Sequence, residues 1–482
     1  VSTALNTDRY ELTMVEAALR SGMAHRDCVF EVFARRLPGA RRFGVLAGTG
    51  RVLDAIAAFR FGRAELDWLA DERVVDDATL TFLADYRFGG SVDGYREGEL
   101  YFPQSPVLTV RGTFAEAVLL ETVVLSILNY DSAVATAAAR MVVAADGHPI
   151  AEMGSRRANE SAAVAAARAA YIAGFSATSN LEAGRRWGIP TLGTAAHSFT
   201  LLHNSEEDAF RAQVAAFGPG TTLLVDTYDV RAAVETAVRV AGPQLGGVRL
   251  DSGDLPALVR DVRAHLDSLG ATGTRITVTS DLDEHTIAAL RGSSADAFGV
   301  GTSVVTGSGS PAAGFVYKLV ARRDAPGVAD AGAVGVGVGD ADGGADGTTA
   351  PGVWTPVAKS SAGKTSLGGA KRAERMLHNG VAVGEHIIVD DGGRVGGDDG
   401  GAGGGGGDVG PGDGDQMPDR TAGTTTRSLT VPLMRDGQAD AQWLSSAGVA
   451  TARQHCAAAV AELPGAALRL SRGEPALPVV RR

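Results

Sequence analysis

The sequence predicts an α/β fold: a β/α barrel that carries its chemistry at one end, packed beside an α+β portion. Two observations predict it. From residue 149 onward, short β-rich runs alternate with helical ones, the rhythm of βαβ units and a parallel sheet. The polar residues of that region, Arg156, Ser179, His197, Asp226, Arg249 with Asp251, Asp281 and Gly301 with Thr302, each fall near the C-terminal end of a strand. In a β/α barrel the loops at that end converge on one mouth, where active sites form.

Before residue 149 the pattern is α+β. "TDRYELTMVEAALRSG" reads as a helix with Thr7 or Asp8 as N-cap and Gly22 as its stop. "VFEVFARRLPG" alternates like a strand, and about residues 114–143 form a long helical stretch. The alternating series then runs from "PIAEM" and the helical "SAAVAAARAAYIAG" through "FSATSN" and "LEAGRRWG" to "PTLGTAAHS" and "SEEDAFRAQVAAFG". It continues with "TTLLVDTYD" before "VRAAVETAVRVAG", "GVRLDSGD" before "LPALVRDVRAHLDSLG", and "RITVTSD" before "DEHTIAALRG", and closes on "DAFGVGTSVV". Two Gly/Asp-rich tracts, residues 324–352 and 390–416, lack the apolar surface that offsets ordering entropy and read as flexible insertions. The expected organisation is an N-terminal α+β domain over 1–148, the barrel over 149–323 and an insertion over 324–355. A basic, phosphate-binding segment over 356–389, a second insertion over 390–426 and a C-terminal segment over 427–482 that packs on the N-terminal domain complete it.

The totals exclude more than they assign. With 482 residues, 45% of them hydrophobic, the chain can bury more than one core. The net charge of −11 lies wholly in residues 324–350 and 390–420, so the rest is neutral and nothing argues for a nucleic-acid surface. Two cysteines, Cys28 and Cys456, give neither a disulfide framework nor a metal spacing, which fits a reducing, cytoplasmic setting. No uncharged apolar run reaches the ~18 residues a membrane span needs, and "VSTALNTDRYELTM" has no signal-peptide pattern.

The chemistry-bearing stretches each have a plainer reading beside the functional one. "GIPTLGTAAHSFTLLHN" sets His197 among small residues, either as a hydrogen-bonded strand-end histidine or as a nucleophile needing open space. In "VRLDSGDL", Asp251 and Asp254 can cap a helix or hold ribose hydroxyls or Mg²⁺, whereas capping leaves Arg249 unexplained. "FGVGTSVVTG" can cradle a phosphate on backbone N–H groups or be an ordinary loop. The guanidinium forks of "EMGSRRANE", Arg156 and Arg157, suit an anion or form a surface pair. In "LVDTYDV", Asp226 can hold His197 by one ring nitrogen, with Asp229 the better helix cap. "KSSAGKTSLGGAKRAER" offers Lys359, Lys364, Lys371 and Arg372 as a cationic loop or a solvated stretch, and lacks P-loop spacing. Tyr10 can stack on an aromatic ligand or lie half-buried on its helix.

Taken in order, "TDRYELTM", "FEVFARRLPG", "EMGSRRA", "FSATSN", "GIPTLGTAAHSF", "VDTYD", "VRLDSGDL", "SDLDE", "FGVGTSVVT" and "YKLV" resemble nicotinate phosphoribosyltransferases over most of residues 5–380, with "SLTVPLMRDGQ" beyond. The resemblance implies the type II phosphoribosyltransferase fold, an irregular β/α barrel packed on an α+β domain built from both ends of the chain. It implies synthesis of nicotinate mononucleotide and diphosphate from nicotinate and phosphoribosyl diphosphate, the entry of nicotinate into NAD. It further implies coupling to ATP, a need for Mg²⁺ bound mainly through the substrate diphosphate, and a homodimer with shared active sites.

By that resemblance His197 is the phosphorylated histidine and Asp226 orients its ring. Arg249 meets nicotinate, Asp251 the ribose hydroxyls, and Gly299, Gly301 and Thr302 the 5′-phosphate. Tyr10 stacks on the pyridine ring from the neighbouring subunit, while Arg156, Lys364 and Lys371 take phosphates. Ser179 stands where the nicotinamide-using relative has an acidic residue, which would repel nicotinate's carboxylate; Met153 stands where that relative has an aromatic. The alternatives are a nicotinamide phosphoribosyltransferase, a quinolinate phosphoribosyltransferase, which needs no phosphohistidine and is separated by ATP stimulation, and a non-catalytic nucleotide-binding barrel, against which His197 and the "DSGD" turn stand.

Overall fold

Short, apolar strands of the second half of the chain assemble into one parallel sheet. The computed structural model describes residues 2–324, 353–359, 367–389 and 423–481. The sheet runs Ala177–Thr178, Ile150–Glu152, Ala297–Val300, Arg275–Thr279, Gly247–Leu250 and Thr222–Leu224, all six strands parallel. Val248, Leu250, Ile276, Val278, Phe298 and Val300 are buried in its core. Because strand side chains alternate in direction, Arg249 leaves the face that Val248 and Leu250 share. A parallel bridge from Thr178 to Thr191 adds one further segment at the Ala177–Thr178 edge. Among the described residues no strand pairing joins that edge to Thr222–Leu224. The strand expected in "PTLGTAAHS" is reduced to this bridge, since Gly193, Thr194, Ala195 and Ala196 have no apolar pattern to bury.

The helices begin where the sequence supplies caps. Asn159, Asn180, Ser205, Asp229, Asp254 and Asp283 accept backbone N–H bonds at the starts of Glu160–Ile172, Leu181–Trp187, Glu206–Phe217, Val230–Ala241, Leu255–Ser268 and Glu284–Ala289. Capping by Asp229 and Asp254 leaves Asp226 and Asp251, three residues upstream in each case, for other work.

The second layer is an antiparallel sheet in the order Trp354–Pro356, Phe315–Arg323, Asp27–Ala34, Leu108–Thr113, Ser91–Tyr95, Thr430–Arg435 and Gln438–Ala439. It draws on both ends of the chain and corrects two expected boundaries. Phe315–Arg323, assigned with the barrel over 149–323, pairs along its length with Asp27–Ala34. Within 427–482, Thr430–Arg435 pairs with Ser91–Tyr95, but the helix Ser445–Ala461 packs on Glu160–Ile172 and Leu181–Trp187 of the parallel-sheet layer. The described part of 356–389 is largely the hairpin Lys371–His378 and Val381–Val389, flanked by Thr424–Ser428 and Val479–Arg481 in a four-stranded sheet. Of the insertions expected over 324–355 and 390–426, residues 325–352 and 390–422 lie outside the described residues, while their C-terminal ends are corrected to strands: Trp354–Pro356 pairs with Phe315–Arg323 and Thr424–Ser428 with Lys371–His378.

One helix, Glu121–Ala145, belongs to both cores. Val123, Val124 and Leu128 pack into the antiparallel-sheet cluster, and Val134, Ala138 and Met141 into the parallel-sheet cluster. With the preceding short helix Phe114–Val118 it is long and apolar enough by composition to cross a membrane, yet 67% of its apolar 18-residue stretch is buried in this fold. A buried ion pair ties the layers: Arg168 donates to both oxygens of Glu97 at 2.5 and 2.7 Å, and Glu97 also accepts from the Gly48 and Gly50 amides.

Candidate active site

The C-terminal ends of the parallel strands enclose a cavity of about 510 Å³. From Ile150–Glu152 the chain passes through Met153 into a turn carrying Ser155, Arg156 and Arg157. Glu152 braces that turn: its carboxylate accepts from Thr178 Oγ1 at 2.6 Å and from the Gly154 amide, joining two strands. Burial pushes the Glu152 carboxyl above the usual range, against the pull of those two hydrogen bonds. Ser179 follows the next strand, its amide donating to the Glu152 carbonyl at 2.8 Å. Gly299, Gly301 and Thr302 close the opposite wall, and a side chain at Gly299 would strike Thr279 and Met153. Ser280, with φ of 152°, holds a strained backbone in the wall beside Asp281.

Arg249 and Asp251 enter from Gly247–Leu250 and its following turn. Arg249 Nη1 donates to Thr194 Oγ1 at 2.7 Å and to the Ala195 carbonyl at 3.0 Å; Nη2 lies 3.8 Å from Asp251 Oδ1. Thr279 Oγ1 donates to that same Asp251 oxygen. Asp226 is almost fully buried, and its Oδ2 accepts from the Asp251 amide at 2.7 Å and from Ser252 Oγ at 3.0 Å. Its Oδ1 is buried with no hydrogen-bond partner.

His197 opens the short helix His197–Leu202, and 41% of its side chain is exposed. Its Nε2 lies 3.9 Å from Asp226 Oδ1 and 3.9 Å from Asp251 Oδ2, while Nδ1 is 3.1 Å from Thr227 Oγ1. Two carboxylates facing one nitrogen favour the proton there, and a hydroxyl can donate to the other. The arrangement therefore selects the tautomer with N–H at Nε2 and the lone pair at Nδ1. Asp226 faces the ring without a direct hydrogen bond; the contact expected of it is made by Thr227, which sequence reading passed over although it follows Asp226 in "VDTYD".

The structure thus brings Arg156, Ser179, Arg249, Asp251, Gly299, Gly301 and Thr302 to one cavity, with His197 and Asp226 at its rim. Tyr10 is not among them. It lies 47% exposed on the helix Arg9–Arg20, and burial together with the neighbouring Glu121 pushes its hydroxyl up to about 12. Lys371, expected to take phosphate, is instead buried: its amine lies 2.7 Å from Glu31 Oε2 and donates to the Leu367 and Gly369 carbonyls. A buried carboxylate needs that charge, so the lysine is spent inside the fold. Lys364 lies outside the described residues. Thr194 and Thr279, the hydroxyls that hold Arg249 and Asp251, carried no signal in the sequence beyond standing near strand ends.

Comparison with known proteins agrees with this arrangement. Residues 5–129 match the model of the nicotinate phosphoribosyltransferase N-terminal domain, and residues 149–321 match the nicotinate phosphoribosyltransferase family model. The chain is 51% identical to a nicotinate phosphoribosyltransferase of Mycobacterium tuberculosis H37Rv, over 98% of this chain and 94% of that protein. It is 41% identical to the nicotinate phosphoribosyltransferase of Bacillus subtilis, over 67% of this chain and 68% of that one. In fold it is similar to human nicotinic acid phosphoribosyltransferase, with a TM-score of 0.72 at 24% identity over 99% and 97% of the two chains. A nicotinate-nucleotide pyrophosphorylase from Pyrococcus furiosus is similar with a TM-score of 0.69 at 21% identity, over 97% and 96%. Both halves of the fold, and with them every strand end that lines the cavity, fall within these matches: the chain belongs to the nicotinate phosphoribosyltransferase family.

Proposed function

We propose that the chain joins nicotinate to phosphoribosyl diphosphate, giving nicotinate mononucleotide and diphosphate, and that ATP drives turnover through a phosphohistidine at His197. The observation that supports this most is the His197 ring. It stands with two carboxylates on Nε2 at the rim of a cavity walled by arginines on one side and by the Gly299–Thr302 turn on another.

In the transfer, the pyridine nitrogen attacks C1 of the ribose as the C1–O bond to diphosphate breaks, and the electron pair leaves with diphosphate. Arg249 takes the nicotinate carboxylate beside Ser179, Arg156 takes the anionic leaving group, Asp251 the ribose hydroxyls, and Gly299, Gly301 and Thr302 the 5′-phosphate. Fixed charges held around the cavity favour the spread of charge as that bond breaks. In the ATP step, Nδ1 gives up its hydrogen bond from Thr227 Oγ1 and its lone pair attacks the γ-phosphorus; the N–P bond forms, the P–O bond breaks and ADP leaves. The positive charge this places on the ring is met at Nε2 by Asp226 and Asp251. Water later cleaves the N–P bond.

Among the described residues no group of three His, Cys, Asp or Glu side chains could hold a metal alone. A Mg²⁺ would be held mainly by the substrate phosphates, which commonly supply most of its shell, since the nearby carboxylates of Asp226 and Asp251 face the His197 ring. Held so, it would neutralise charge on the diphosphate. On the same reading, the parallel strands and the Thr191 segment serve as the irregular β/α barrel of the type II fold. Tyr10, outside the cavity of its own chain, serves a second copy in a homodimer.

The test is a coupled assay of nicotinate and phosphoribosyl diphosphate with and without ATP, beside labelling from γ-³²P-ATP. Nicotinate mononucleotide formed faster with ATP, and an acid-labile label lost in His197→Ala, are expected. A label that persists in His197→Ala overturns the phosphohistidine assignment.

A further inference from the structure

Arg249 is placed to do two things at once. Its side chain is only 15% exposed, and its three nitrogens have different fates. Nε is buried without a partner, Nη1 is occupied by Thr194 Oγ1 and the Ala195 carbonyl, and Nη2 stands by Asp251. The two Nη1 acceptors belong to the segment that ends in His197. That segment is held loosely. The Leu192 amide donates to the Thr178 carbonyl at 3.0 Å, and the Phe199 amide donates back to Ala196 at 2.9 Å. Between them, among the described residues, residues 193–196 are tied to the rest of the chain by the bonds from Arg249, and the ring of His197 by Thr227. A side chain at Gly193 would meet nothing within 4 Å, so packing adds little there.

We infer that Thr194 is a positioning residue that couples the carboxylate-binding arginine to the His197 segment. Its hydroxyl takes one arm of the guanidinium, sets the plane of the fork and leaves Nη2 to the substrate's carboxylate; the same bond fixes the segment that carries the histidine. The inference rests on the proposed function, in which Arg249 receives nicotinate. An anion that orders Arg249 thereby orders residues 193–197, and by linkage an ordered segment strengthens binding of the anion. Occupancy of the nicotinate subsite and placement of the imidazole are then one equilibrium.

Thr194→Val keeps the shape and removes the hydroxyl, while the Ala195 carbonyl remains for Nη1. A hydrogen bond to a charged group is strong enough for its loss to exceed tenfold; with one acceptor retained, KM for nicotinate is expected to rise about 3–10-fold. In Thr194→Val, kcat and KM for phosphoribosyl diphosphate stay within threefold, ADP formed per nicotinate mononucleotide increases, and Thr194→Ser restores both quantities. Hydrogen exchange supplies a readout independent of turnover: nicotinate slows exchange in residues 192–202 of the unaltered chain and not in Thr194→Val. An unchanged KM with an unchanged ADP ratio overturns the coupling and leaves the functional reading intact. An unaltered chain that turns over no nicotinate overturns the functional reading. The tether is then judged by exchange alone, and equal exchange with and without nicotinate overturns it.

Discussion

Replacing Asp226 by asparagine isolates the work of one carboxylate on the His197 ring. The oxygen that accepts from the Asp251 amide and Ser252 must stay an oxygen, so the new NH2 group takes the place of Oδ1 and faces Nε2. A unit charge at 3.9 Å from a forming positive charge contributes about 1 kcal/mol in water and about 4 kcal/mol at an effective dielectric constant of ~20. Asp226 is buried and the ring is part-exposed, which places the effect near 2 kcal/mol, or roughly 30-fold in rate. A complete reversal of the tautomer costs more, about 10⁴-fold in a catalytic triad. Asp251 lies at the same distance and still favours the proton on Nε2, so the smaller effect dominates. Asp226→Asn is therefore expected to slow the first turnover of phosphohistidine formation by about 30–300-fold, measured by rapid quench with γ-³²P-ATP. Labelling within threefold of the unaltered chain refutes the claim that this carboxylate acts on the ring.

Two further predictions concern groups that the fold uses for stability. Lys371→Met leaves the Glu31 carboxylate buried without its partner and is expected to cost about 3–5 kcal/mol, read as a lower denaturant midpoint. KM for phosphoribosyl diphosphate in the folded fraction stays unchanged; a selective rise in that KM would return Lys371 to the phosphate site. Glu11 is pushed up to about 7 by burial, against the hydrogen bonds from Thr122 and with a further upward push from Glu121. Its folded pKa exceeds its unfolded one, so the stability it contributes is full below about 4.5 and is lost as pH rises through about 7. Glu11→Gln keeps an oxygen for Thr122 and is expected to raise the melting temperature by on the order of 2 °C at pH 8, with little change at pH 4. An equal gain at both pH values contradicts the assignment.

The sequence by itself determined the local rhythm and the chemistry placed on it. Capping residues, glycine stops and alternating apolar runs are short-range signals, so the strand–helix series and the strand-end positions of Arg156, Ser179, Arg249, Asp251 and Gly301 were legible from the residues alone. What each polar group does with its hydrogen bonds depends on neighbours far along the chain, and only the tertiary structure decided that. Lys371 is basic and flanked by glycines, which suits a phosphate loop; a glutamate 340 residues away in sequence makes it a buried counter-ion. Thr227 makes the direct contact with the ring, at Nδ1, while Asp226 anchors the Asp251 turn through Oδ2 and faces Nε2 through Oδ1 at 3.9 Å. Phe315–Arg323 reads as a continuation of the barrel, yet its partner is a strand near the N-terminus. Pairing across such separations leaves no periodicity in the sequence, since either sheet would bury the same apolar faces; the choice is made by which edge is open when the two layers pack.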